Sequence, residues 1–129
     1  MLANIISNFF FRPNNYSKWQ VIFWLNTALL LFLTLSTPIN TNVGFAHADK
    51  IFHFIGFGAF SFFLFLGYSK FSVLLNVTLS FILGLVVEIA QSYIPYRSFD
   101  ILDLVADVCG SLVAVAFLTL LKQTLSPKP

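Results

Sequence analysis

The 129 residues are 58% hydrophobic and 9% charged, whereas soluble domains carry about 25% charged residues, so a water-soluble fold of this length could not hide its apolar surface. High hydrophobicity with low charge excludes a disordered chain. The lone cysteine, Cys109, excludes an intramolecular disulfide and a multi-cysteine metal site, and a net charge of +2 without a basic patch excludes nucleic acid as a partner.

In chain order, residues 1–18 contain Phe9, Phe10 and Phe11 and are expected to form a cytoplasmic or interfacial segment. A spanning helix needs roughly 20 mostly apolar residues. Four segments meet that length: 19–36, ending before Pro38; 51–68; 73–94, ending before Pro95; and 101–121. Proline cannot continue a helix without losing a hydrogen bond. Trp19, Trp24, Tyr68, Tyr93 and Tyr96 fall near the expected membrane interfaces, where amphipathic rings prefer to lie. The expected fold class is all-α: an integral membrane bundle of four transmembrane helices over residues 19–121, followed by a cytoplasmic tail, 122–129.

Basic residues orient the bundle. Arg12, Lys18, Lys70, Lys122 and Lys128 fall on one side and only Lys50 and Arg97 on the other. Both termini are therefore expected in the cytoplasm and loops 37–50 and 95–100 outside, in a multi-pass protein of the bacterial inner (cytoplasmic) membrane. The first span, with its basic flank and Ala46-His47-Ala48, has the parts of a cleaved signal peptide. Twelve residues separate its end from a cut after Ala48, and the run is long for a signal, so the span is expected to be retained.

All five acids map to the outer layer: Asp49, Glu88, Asp100, Asp103 and Asp107. His53, Gln91 and Arg97 join them. Asp49, His53, Gly56 and Phe60 share one helical face; so do Gly84, Glu88 and Gln91, and Asp100, Asp103, Asp107, Gly110 and Ala114. Small residues on these stripes let helices approach closely. A charged group near the bilayer centre costs about 2.5–3.5 kcal/mol even on lenient scales. The acids therefore need each other, a partner or water, which a shared outward-facing pocket supplies. With Lys50 and Arg97 counted, the layer keeps a charge of −3, or −2 with a protonated His53. Glu88 should then hold a proton or have a cation or cationic ligand group beside it.

Plainer roles compete for each residue. Asp49 and Asp103 suit helix N-termini, where free N–H groups and the helix dipole favour a carboxylate. Glu88 and Gln91 could be interhelical hydrogen bonds that fix the bundle, although an intramembrane acid defaults to a functional reading. Arg97 could clamp Asp100 or Asp103, or hold a lipid phosphate. Cys109 points away from the acidic stripe. His53, Glu88, Asp103 and Asp107 are suitable metal ligands, but no dedicated ligand spacing is present, so no metal and no cofactor is assigned.

Three motifs in order resemble the VanZ-like family of small bacterial membrane proteins: Asp49-Lys50-x-x-His53-x-x-Gly56-Phe57, Glu88-x-x-Gln91-x-x-x-Pro95-x-Arg97, and Asp103-x-x-x-Asp107-x-x-Gly110. The resemblance covers residues 49–121. The family usually carries asparagine where this chain has Asp107. The resemblance implies envelope biology, since the founding member is associated with low-level resistance to teicoplanin, a lipid-tailed glycopeptide.

The candidate pocket therefore comprises Asp49, Lys50, His53, Glu88, Gln91, Arg97, Asp100, Asp103 and Asp107, with no catalytic residue assigned. Expected partners are membrane lipids, lipid-linked envelope precursors or lipoglycopeptides, and a homo-oligomer is compatible with so short a chain. The first functional reading is a binding or accessory protein. The alternative is an enzyme acting on an envelope lipid precursor, with Glu88 as base and His53 as proton partner. A carrier is a third reading. A channel is disfavoured because no polar trail except Asn76 leads towards the cytoplasm.

Overall fold

The computed structural model describes residues 1–36, 48–95 and 97–125. Pro38, Ala46, His47, Tyr96 and Lys128, and with them the expected outer loop and most of the tail, lie outside the described residues. The elements are α1 (Leu2–Phe11), a 3-10 turn (Pro13–Asn15), α2 (Tyr16–Leu35), α3 (Ala48–Gly67), α4 (Val73–Gln91) and α5 (Ile101–Leu125). No strand occurs among the described residues. Helices α3 to α5, and Pro13–Leu35 around α2, are the four segments long and apolar enough to cross a membrane, as the sequence leads one to expect.

Each spanning helix is apolar all round and buries only a stripe. On α2 the buried residues are Trp19, Phe23, Thr27 and Leu30, while Val21, Trp24, Leu25, Leu29 and Phe32 stand exposed. A helix apolar on both faces belongs in a protein core or in lipid, and here the outer face has no protein against it.

Local chemistry sets the helix ends. Asn15 does not cap α2; its side-chain amide donates to the carbonyls of Asn8 (3.1 Å) and Phe9 (2.9 Å), which the end of α1 leaves without helical partners. Phe10 then stacks on Trp19, with ring centroids 6.0 Å apart, and meets Phe62 edge-on. Ser72 caps α4 by accepting from the Leu75 amide at 3.1 Å. Helix α4 ends at Gln91, three residues before the expected end at residue 94. The residue before a proline is steered out of the helical region, and the chain answers with tight turns: the amide of Ile94 donates to Gln91 (2.9 Å) and that of Arg97 to Ile94 (3.1 Å).

Helix α3 lies at the centre, packed most extensively on α5 and then on α2, and α4 leans chiefly on α5. Phe23, Leu30, Phe57, Phe60, Leu64 and Val87 form the main apolar core. Two glycines explain the α3–α5 contact. A Cβ on Gly110 would overlap the Phe54 carbonyl, and one on Gly58 would stand 3.3 Å from the Gly110 oxygen. Gly56, expected on the inward acidic stripe, instead faces Leu30 of α2, because the stripe of α3 that enters the core runs through His53, Phe57, Phe60 and Leu64.

Candidate acidic site

The start of α3, the end of α4 and the start of α5 meet at one end of the bundle, and every acid of the chain is there. At the rim, the Lys50 ammonium sits among three carboxylates: Asp100 Oδ2 at 2.7 Å, Asp103 Oδ1 at 3.0 Å and Asp49 Oδ2 at 3.2 Å. Asp100 also caps α5, its Oδ1 accepting from the Leu102 amide at 2.8 Å. Its own amide donates to Glu88 Oε2 at 2.9 Å, which ties α4 to the loop before α5.

Below the rim lies a closed layer. Glu88 and Asp107 are 0% exposed, His53 4% and Asp103 7%. His53 Nδ1 is 2.9 Å from Asp107 Oδ1 and 3.9 Å from Glu88 Oε1, and its Nε2 is 4.0 Å from Asp103 Oδ2. The imidazole stacks parallel to Phe57, centroids 6.2 Å apart. Gly84 makes room for Asp107: a Cβ there would stand 2.6 Å from Asp107 Oδ2. Two buried carboxylate oxygens, Glu88 Oε1 and Asp107 Oδ2, have no hydrogen-bond partner among the described residues. Buried charge without a partner is costly.

The nine candidates thus divide. Lys50, Asp49 and Asp100 form the rim, Asp103 belongs to both layers, and His53, Glu88 and Asp107 form the interior. Gln91 is buried, but its amide donates to the Thr34 carbonyl of α2 at 2.8 Å, so it fastens α4 to α2. Arg97 is half-buried, and among the described residues its guanidinium makes no hydrogen bond or ion pair. The clamp on Asp100 and Asp103 is Lys50. Cys109 is exposed on the outer face of α5.

Sequence reasoning missed a buried polar column beneath the acids. Ser111 donates to the Asp107 carbonyl (2.8 Å) and pairs with Ser80 across the α4–α5 contact. One turn further along α4, Asn76 donates to the Ser61 carbonyl of α3 at 3.1 Å. Ser61, Ser80, Ser111 and Asn76 are all buried. A weak signal exists in hindsight: Ser111 follows Asp107 by four residues, and Asn76, Ser80, Gly84 and Glu88 are each four apart. The trail expected to consist of Asn76 alone therefore includes three serines.

Fold and site define a four-span membrane bundle with a buried acidic end. A family model described as VanZ/LLP1 matches residues 2–122. The chain belongs to the VanZ/LLP1 family, and the match reaches well before the motifs that begin at Asp49. No curated protein and no solved structure matches it.

Proposed function

We propose that the chain is an accessory protein of the bacterial cell envelope, set in the cytoplasmic membrane with both termini inside, whose acidic end receives the polar headgroup of an amphiphile. The carrying observation is that all five carboxylates gather at one end, with two of them and Lys50 presented at a rim above a closed layer. A rim with one ammonium among carboxylates, and the Arg97 guanidinium nearby in sequence, suits a headgroup that carries both amine and phosphate. The groups of the inner layer are buried, so the apolar tail of the ligand would lie against the exposed helix faces. Lipid-linked precursors and lipid-tailed glycopeptides of the teicoplanin type both have this make-up, and altered susceptibility to the latter follows if the protein sequesters or displaces either.

Co-purifying lipids from native membranes test this reading. The intact chain should carry a reproducible set of headgroups. Asp49→Asn combined with Arg97→Ala, both at exposed or half-exposed positions, should change that set and abolish any effect of expression on teicoplanin susceptibility. The same lipids in the same amounts would defeat the reading.

The His53–Asp107 pair favours a second reading. A carboxylate on Nδ1 fixes the imidazole and leaves Nε2 available to take a proton, as a membrane enzyme acting on a lipid precursor would require. Turnover of a labelled precursor by purified protein, lost in His53→Gln, would select it over binding alone.

A further inference from the structure

We propose that His53, Glu88 and Asp103 hold one divalent cation of the first-row transition type, in the closed layer beneath the rim. One ligand atom from each of the three lies within 4.8 Å of the other two, so a modest inward adjustment of the side chains brings all three to the distance of about 2.0–2.2 Å that a shared ion requires. The division of oxygens carries the argument. Asp103 gives Oδ1 to Lys50 and turns Oδ2 towards His53 Nε2. Glu88 gives Oε2 to the Asp100 amide and leaves Oε1 buried, with no hydrogen-bond partner among the described residues, 3.9 Å from His53 Nδ1. Each carboxylate is thus anchored through one oxygen and directs the other at the His53 ring.

Asp107 completes the arrangement without being a ligand. Its Oδ1 accepts from His53 Nδ1, and a carboxylate on the far nitrogen of a metal-bound histidine is the usual way to orient the ring and raise its basicity. The neighbouring acidic group, Asp49, Asp100 and Asp103, has the Lys50 ammonium at its centre. The inner group has two carboxylates and a histidine, and Lys50 meets it only at Asp103, through Oδ1. One imidazole nitrogen and two carboxylate oxygens suit zinc or manganese, and three protein ligands leave coordination positions for water or a ligand oxygen. The inference is independent of the headgroup reading, which uses the rim.

The full chain, purified in detergent and stripped with a chelator, should bind one Zn²⁺ or Mn²⁺ per chain and unfold at a higher temperature with the ion than without. Glu88→Gln, nearly isosteric, should lose the ion. Asp107→Asn should keep it with about 10–100-fold weaker affinity, the usual cost of removing such an orienting partner. Nitrogen coupling in the Mn²⁺ paramagnetic resonance spectrum of the unaltered chain should report His53, and this readout stands even where Glu88→Gln fails to fold. Absence of binding, with Glu88 then retaining a proton, would overturn the proposal. So would equal binding by the Glu88→Gln and Asp103→Asn chains, or a spectrum of hydrated Mn²⁺ alone.

Discussion

Lys50 is the residue on which the rim depends. Its side chain is 20% exposed and meets three carboxylates, of which Asp103 is nearly buried. Lys50→Met keeps the stem and removes the charge, leaving those oxygens to repel one another. Stability in detergent should fall by about 1–3 kcal/mol, the range for a buried group that loses its partner. Arg97→Met, which breaks no ion pair among the described residues, should change it by no more than about 0.5 kcal/mol. Thermal unfolding of both variants checks the contrast, and equal losses would refute it. Sequence alone indicated that Glu88 and Asp107 mattered, since an acid amid apolar residues is conspicuous. It did not separate Lys50 from Arg97, because the two are equal in charge and in expected depth. Only the approach of α3 to α5 decides which cation reaches the acids. Gln91 shares a helical face with Glu88 but lies about 4.5 Å further along the axis, where its amide reaches the Thr34 carbonyl, the interhelical hydrogen bond weighed as its plainer role.

Among the elements, the α3–α5 pair is set by backbone proximity. Gly110→Ala would drive a methyl into the Phe54 carbonyl, and backbone cannot yield as a side chain can. A loss of at least 1–3 kcal/mol is expected, as for overpacked cores. Gly56→Ala meets only the Leu30 Cδ1 methyl, 2.6 Å away, which a rotamer change can relieve, so its loss should be smaller. Comparison of the two unfolding transitions tests this, and a larger loss for Gly56→Ala would contradict it. Helix positions were legible because apolar runs of about 20 residues have few alternatives in lipid. Helix ends were less so: the last turn of α4 gives way to successive turns before Pro95, and a proline marks the region without fixing the final helical residue. The serines of the buried column were only weakly legible, through their spacing from the acids in steps of four residues. A single serine in an apolar run is common, and only the pairing of Ser80 with Ser111 and of Asn76 with the Ser61 carbonyl gives these positions meaning.

For the whole molecule, the distribution of basic residues predicts an orientation that can be measured. Arg12, Lys18, Lys70 and Lys122 lie at the end opposite the acids, against Lys50 and Arg97 beside them. With Cys109 replaced by alanine, a cysteine at Ser98 should react with a membrane-impermeant maleimide on intact spheroplasts. A cysteine at Gln123 should react only after permeabilisation. Reversed labelling would invert the bundle and place the acidic end inside.

Asp103 has one consequence for the molecule as a whole. Its two oxygens face different neighbours, the Lys50 ammonium on one side and the His53 ring on the other, and both turn about the same bond. Rotation that releases the ammonium swings the second oxygen off the imidazole as well. Water-facing and lipid-shielded parts of the protein therefore share a single rotor, and a disturbance at either is felt by the other without any helix having to move.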